Sequence, residues 1–194
     1  LLILALTPTF ASGSVDLKIT GVKRAVQDNL DAYLSAIPKN EYSTQLRFRS
    51  RLEDVIIKAH QALGYYHPKI KFTEQKEDES LLVEVDSGPA TLIKQVDIVL
   101  IGDMKEDEDA RLLLSKTKLK EGRRLNHSEY DQLKSNLENL ALQKGYFDAK
   151  FEKSQLAVVP SKNEAYIHIH YNSGERYRFG ETTIEGSQIW PERL

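Results

Sequence analysis

The 194 residues carry 27 Lys and Arg against 29 Asp and Glu, for a formal net charge of −2, and contain no cysteine. That balance supplies no basic stripe for neutralising phosphates, so no nucleic-acid partner is expected. The missing cysteine excludes disulfide staples and a lipid-modified N-terminal Cys.

Leu1-Leu2-Ile3-Leu4-Ala5-Leu6 followed by Thr7-Pro8-Thr9-Phe10-Ala11-Ser12-Gly13 reads as the apolar core of a signal peptide running into a cleavage region, with cutting expected after Ala11. No basic segment precedes it, so residues 1–13 are taken as a signal-peptide remnant; the alternative is an apolar N-terminal strand. Val15, Leu17 and Ile19 then alternate with Asp16, Lys18 and Thr20, the period of a half-buried strand, and Gly21 ends it. Val22 to Ile37 predicts an amphipathic helix on Val26, Leu30, Tyr33 or Leu34, and Ile37, stopped by Pro38. A second helix is expected from Ser43 or Thr44 to Leu63, with Leu52, Ile56, Ala59 and Leu63 on one stripe and Gly64 as its terminator. Ile70 and Phe72 alternate with Lys69, Lys71 and Thr73, Glu74 to Ser80 turns the chain, and Leu81, Val83 and Val85 form the return strand of a hairpin.

The order then repeats. Val96–Ile101 reads as a strand, Glu106–Ser115 as a short helix, Asn126–Lys144 as a longer one, and Ala149–Ser154 and Ala165–Tyr171 as a second hairpin. Asn126 and Glu129 sit as an N-cap and its reciprocal glutamate. Gly64-Tyr65-Tyr66 returns 81 positions later as Gly145-Tyr146-Phe147, Gly21 as Gly102, and Leu52, Ile56 and Ala59 as Leu133, Leu137 and Leu140. A third opening follows at Gly180-Glu181-Thr182-Thr183-Ile184-Glu185-Gly186. Repetition at this length implies an array. Each unit is β-α-α-β-β, and two helices laid over one apolar face of a three-stranded sheet give a two-layer α+β sandwich. The expected limits are 14–89 for the first unit, 90–174 for the second, and 175–194 for a linker and the first strand of a third.

These units, behind a signal sequence and joined by Gly174-Glu175-Arg176-Tyr177-Arg178-Phe179-Gly180, resemble the POTRA domains of the Omp85 superfamily. Leu63-Gly64-Tyr65-Tyr66 and Lys144-Gly145-Tyr146-Phe147 are similar to the family's exit from its second helix. Arg47-Phe48-Arg49-Ser50-Arg51 and Tyr171-Asn172-Ser173-Gly174 resemble its TamA branch, the outer-membrane subunits of the translocation and assembly module. The resemblance implies an array of tandem POTRA domains with three-stranded mixed sheets, in the periplasm of a Gram-negative bacterium, ahead of the chain's own C-terminal membrane barrel. It further implies outer-membrane protein and autotransporter clients, a TamB-type inner-membrane-anchored partner, no catalysis, and neither cofactor nor metal. The second unit's entrance, Gly88-Pro89-Ala90-Thr91-Leu92-Ile93, lacks the Tyr-x-Phe-Gly of the third, which implies a different hinge. Rival readings are another Omp85 protein, of BamA or two-partner-secretion type, or a free periplasmic binding module sharing only the architecture.

In the family's sheet the third strand is central, which leaves the second as an edge. Lys69, Ile70, Lys71 and Phe72 in the first unit, and Lys150, Phe151 and Glu152 in the second, are therefore candidates for accepting an extended client segment through main-chain hydrogen bonds. The alternative is that Pro68, Lys69, Lys71, Lys150 and Lys153 guard these edges against pairing. One ring of each pair Tyr65/Tyr66 and Tyr146/Phe147 is expected to plug its core, and Tyr177 and Phe179 to act as an interdomain wedge. Arg47, Arg49 and Arg51 scatter over a helix start, within reach of Glu53 and Asp54. His168 and His170 share a strand face without an identifiable third ligand. The acidic runs Glu77-Asp78-Glu79 and Glu106-Asp107-Glu108-Asp109 lack the spacing and turn glycine of a calcium loop.

Overall fold

The computed structural model describes residues 14–181; the expected signal core at 1–13 and the third opening from Thr182 to Gly186 lie outside them. The first sheet comprises β1 (Asp16–Thr20), β2 (Lys69–Gln75) and β3 (Ser80–Asp86), ordered β1-β3-β2. Helices α1 (Arg24–Leu34) and α2 (Leu46–Gln61) run between β1 and β2. That crossover allows β1 to lie parallel to β3, with Leu17 opposite Leu81 and Ile19 opposite Val83. β2 returns antiparallel, placing Ile70 opposite Val85 and Phe72 opposite Val83.

The core is what the periodicities predict. Leu30 of α1, Phe48, Leu52, Ile56 and Ala59 of α2, and Leu81, Val83 and Val85 of β3 are buried together, with Leu17, Ile19, Ile70 and Phe72 packed against them. Leu63 lies beyond α2 and is only half-buried, because the helix turns out at Ala62. α1 is shorter than the expected Val22–Ile37 segment, although Ile37 still reaches the core.

The second copy has the same strand order. β4 (Leu92–Ile101), β6 (Glu164–Asn172) and β5 (Lys150–Val159) form a sheet ordered β4-β6-β5. Between β4 and β5 run α3 (Glu108–Lys116) and α4 (His127–Lys144). Buried and half-buried residues alternate along all of β6, with Ala165, Ile167, Ile169 and Tyr171 inward. On α4 the buried stripe is Leu133, Leu137 and Ala141. Leu140 is only half-buried although its counterpart Ala59 is buried, while Ala141 stands at the place of the buried His60. β4 and β5 are longer than the expected Val96–Ile101 and Ala149–Ser154 segments; the apolar run Leu156–Val159 continues β5.

Of the described residues, those in 14–96, 118–131 and 155–167 make one compact unit, and those in 97–117, 132–154 and 168–181 another. The first therefore takes in the whole of the first sheet together with the turn ahead of α4. No helix among the described residues is long and apolar enough to cross a membrane.

Candidate docking edges and exit turns

Strand order decides which main-chain groups are open. β3 and β6 are paired on both sides, which leaves β2 and β5 at sheet edges. The two remaining edges are partly occupied: Val15 N donates to Tyr42 O at 3.2 Å beside β1, and at the head of β4 Ile93 N donates to Arg123 O at 2.8 Å while Ile93 O accepts from Gly122 N at 2.8 Å. Among the described residues, no backbone hydrogen bond outside the sheet ladder is made by Lys69–Gln75 or by Lys150, Phe151, Glu152 or Lys153.

The side chains of the predicted edge residues divide by face. Ile70 and Phe72 are turned to the core, whereas Lys69 and Lys71 are exposed, and Lys71 Nζ pairs with Glu84 at 2.9 Å. Phe151 is half-buried, its ring 4.6 Å from that of Tyr171 with Lys134 Nζ 5.0 Å from its centroid. Glu152 accepts a hydrogen bond from Asn172 Nδ2 at 2.7 Å. The guarding lysines and the open main chain thus coexist on both strands.

The exit from α2 is tied by hydrogen bonds to the turn ahead of α4. Tyr65 is buried and Tyr66 half-buried. Arg124 Nη1 donates to Tyr65 Oη at 2.9 Å, with its guanidinium carbon 5.4 Å from the ring centre. Tyr66 Oη lies 2.6 Å from His127 Nε2. Burial holds the Tyr66 hydroxyl above its ordinary range and lowers the His127 imidazole, against the opposing charge of Asp131. A neutral His127 can then accept a hydrogen bond from the Tyr66 hydroxyl at Nε2. Arg124 and His127 carry no sequence signal for this role: His127 lies 61 residues from its partner and reads locally as the start of a helix.

In the second exit Tyr146 is buried while Phe147 is exposed, its ring 5.6 Å from that of Tyr177. Tyr177 and Phe179, the expected wedge, are both exposed. Tyr177 Oη donates to Asp148 at 2.9 Å.

The other singled-out residues have local partners. Arg49 pairs with Glu74 of β2, and Arg51 with Glu41 at 2.5 Å. The expected partners Glu53 and Asp54 are displaced because the loop before α2 and the strand beside it present carboxylates to that helix start. Asp107 caps α3 by accepting from Asp109 N at 2.9 Å and Ala110 N at 3.4 Å, and Asp78 pairs with Lys18. Asn126 caps α4 by accepting from Ser128 N at 3.1 Å. His170 Nε2 and His168 Nδ1 lie 2.8 and 3.1 Å from one Asp97 oxygen, and these bonds hold the Asp97 carboxyl below its ordinary range. Among the described residues no group of three or more His, Cys, Asp or Glu is arranged to hold a metal ion.

Two family models match the chain. POTRA domain TamA domain 1 matches residues 16–87, and a POTRA model described as surface antigen variable number repeat matches 92–174. The chain is a tandem of POTRA domains. Among solved structures it is similar to BamA POTRA3-5 of Haemophilus influenzae, at 16% identity over 95% of this chain and 76% of that one, with a TM-score of 0.46. It is also similar to POTRA1-2 of the periplasmic domain of Omp85 from Anabaena, at 11% identity over 84% and 94%, with a TM-score of 0.42. CdiB from Escherichia coli matches at 15% identity with a TM-score of 0.33, over 85% of this chain and 29% of CdiB. At these scores the structural likenesses add nothing to the assignment, which rests on the family models and on the strand order shared by the two copies.

Proposed function

We propose that this tandem is the periplasmic POTRA region of a TamA-type outer-membrane protein assembly or translocation factor, with domain limits at 14–89 and 90–174. It acts as a scaffold that holds outer-membrane protein and autotransporter clients, and docks a TamB-type partner, beside the bilayer; it is not an enzyme. The match of the TamA domain 1 model to residues 16–87 supports this branch over BamA or a two-partner secretion transporter.

The observation that carries the reading is the pair of edge strands β2 and β5, one in each sheet. An extended client added there gains affinity from main-chain bonds that any sequence can make, which suits a module serving many clients. Of the two, β5 is the better edge: it runs for ten residues against seven for β2, and Pro68 precedes β2 closely.

Because the chain has no cysteine, single cysteines can be placed at Lys150, Glu152 and Lys153 and tested for disulfide trapping of cysteine-bearing strands from an unfolded outer-membrane protein. Trapping at Lys150 and Glu152, whose side chains share a face, with little at Lys153, is the expected result. No trapping at any of the three, with the variants folded, removes strand addition at β5.

A further inference from the structure

The formal net charge of −2 hides a local excess of the opposite sign. In the turn ahead of α4, Lys118, Lys120, Arg123 and Arg124 stand within seven residues of chain against the single carboxylate of Glu121, and all five are exposed. Leu119 between the two lysines is buried and anchors them to the fold. Backbone bonds lay the head of β4 along this turn: Ile93 N donates to Arg123 O and Gly122 N to Ile93 O, each at 2.8 Å, and Leu92 pairs with Arg124. Side chains alternate along a strand, so the buried Ile93 leaves Leu92 and Lys94 on the outer side, with Leu92 46% exposed. Leu92 N in turn donates to Asn163 O at 2.9 Å, which sets exposed Lys162, one residue away, beside them. Six cations are thereby gathered around one open leucine, all within the first compact unit.

The fold does not neutralise them. Among the described residues none of the six forms an ion pair, whereas Lys18 and Lys71 on the first sheet are matched by Asp78 and Glu84. Glu164, on the same stretch of chain as Lys162, accepts from Tyr166 Oη at 2.8 Å instead. Arg124 is held by Tyr65, an uncharged partner that fixes the guanidinium without cancelling it. Like charges held side by side repel. The turn is kept from spreading to relieve them by its bonds to Ile93 and by Leu125 N, which donates to Thr91 O at 2.9 Å. Such a surface is matched by anions outside the molecule.

The side chains indicate which anions. Bidentate recognition of carboxylates favours guanidinium groups in fixed geometry; here four of the six cations are lysines, point charges on flexible stems, and one of the two arginines is already engaged by Tyr65. Flexible point charges around an exposed leucine suit a fluid sheet of phosphate headgroups, with the leucine reaching the acyl boundary. We propose that Lys94, Lys118, Lys120, Arg123 and Lys162, with Leu92, form a contact surface for an anionic phospholipid bilayer. It holds the head of β4 and the turn ahead of α4 against the headgroups. The inference rests on the reading that the tandem works beside a bilayer, and is independent of strand addition at β5.

The test is flotation of the 194-residue chain with vesicles at low salt, comparing phosphatidylglycerol mixed equally with phosphatidylcholine against phosphatidylcholine alone. Binding to the mixed vesicles only, weakening as sodium chloride rises from about 20 to about 300 mM, is the expected result. Lys118→Gln/Lys120→Gln/Arg123→Gln should lower the affinity about a hundredfold, at about fivefold per cation, with circular dichroism and urea midpoint kept. Lys39→Gln/Arg47→Gln/Lys76→Gln removes the same charge from exposed positions away from this turn and should change binding by less than about fivefold. No binding to either vesicle, equal binding to both, or equal loss in the two triple variants overturns the proposal. So does a chain that ignores the vesicles but retains polyglutamate through the same three residues, which assigns the surface to an acidic protein. Disulfide trapping at β5 reads client binding separately, so vesicle binding without trapping, or trapping without vesicle binding, tells the failure of one reading from that of the other.

Discussion

Gly64 is the position where the exit turn can be tested most sharply. Its φ is +82°, and a Cβ built on it would lie 2.4 Å from Leu125 O, a backbone atom that cannot swing aside. Gly122 supplies the internal reference: its φ is +76°, but nothing lies within 4 Å of its would-be Cβ. Alanine at Gly122 therefore pays only for left-handed backbone, about 1–2 kcal/mol, less about 0.4–1 kcal/mol recovered from a stiffer unfolded chain, or about 1 kcal/mol net. Alanine at Gly64 adds the displacement of the turn. Moving Leu125 away breaks the bonds from Thr91 N to Gly64 O and from Leu125 N to Thr91 O, each worth about 1 kcal/mol, for a total near 3 kcal/mol. With a urea slope of about 2 kcal/mol per molar, the midpoint should fall by about 1.5 M for Gly64→Ala and about 0.5 M for Gly122→Ala, followed by circular dichroism. Equal shifts would refute the close approach of Leu125 to Gly64 and with it the covered exit.

Leu137→Ala, at a fully buried position on α4, should cost about 2–5 kcal/mol in the same assay, whereas Leu142→Ala on the exposed side of that helix should stay within about 0.5 kcal/mol of the parent. Asp107→Ala removes the side-chain cap of α3 and is expected to cost about 1 kcal/mol, read from the urea midpoint, with Asp107→Asn retaining most of it. His60 and His127 are both held below the ordinary imidazole value by burial, so the unfolded chain binds protons at a pH where the folded chain does not. Stability present above pH 6.5 should therefore decline as pH falls below that value. Urea midpoints between pH 8 and 5 check this, and His127→Asn should flatten part of the decline; a parent whose stability rises on acidification over this range contradicts it.

The sheets and helices were legible because each is signalled locally. Alternating Leu17 and Ile19, or Leu81, Val83 and Val85, can bury one face only as strands, and Leu52, Ile56 and Ala59 only as a helix. The repeat then carried the same reading to the second copy. The half-burial of Leu140, at the place of the buried Ala59, escaped it, because a repeat alignment carries positions from one copy to the other but not the neighbours that cover them. The partners of Arg49 and Arg51 were misplaced for a related reason: Glu53 and Asp54 are nearer along the chain, but Glu74 and Glu41 are nearer in space. Asp97, which sits against both His168 and His170, lies 71 residues from the nearer of them, beyond any spacing rule.

The order of apolar and polar residues by itself determined two β-α-α-β-β units, since hydrophobic burial acts on every strand and helix through a short, fixed period. Tertiary structure alone decided that Tyr65 and Tyr66 are clasped by Arg124 and His127. Those contacts join segments far apart in the chain, and no local period records which neighbour arrives.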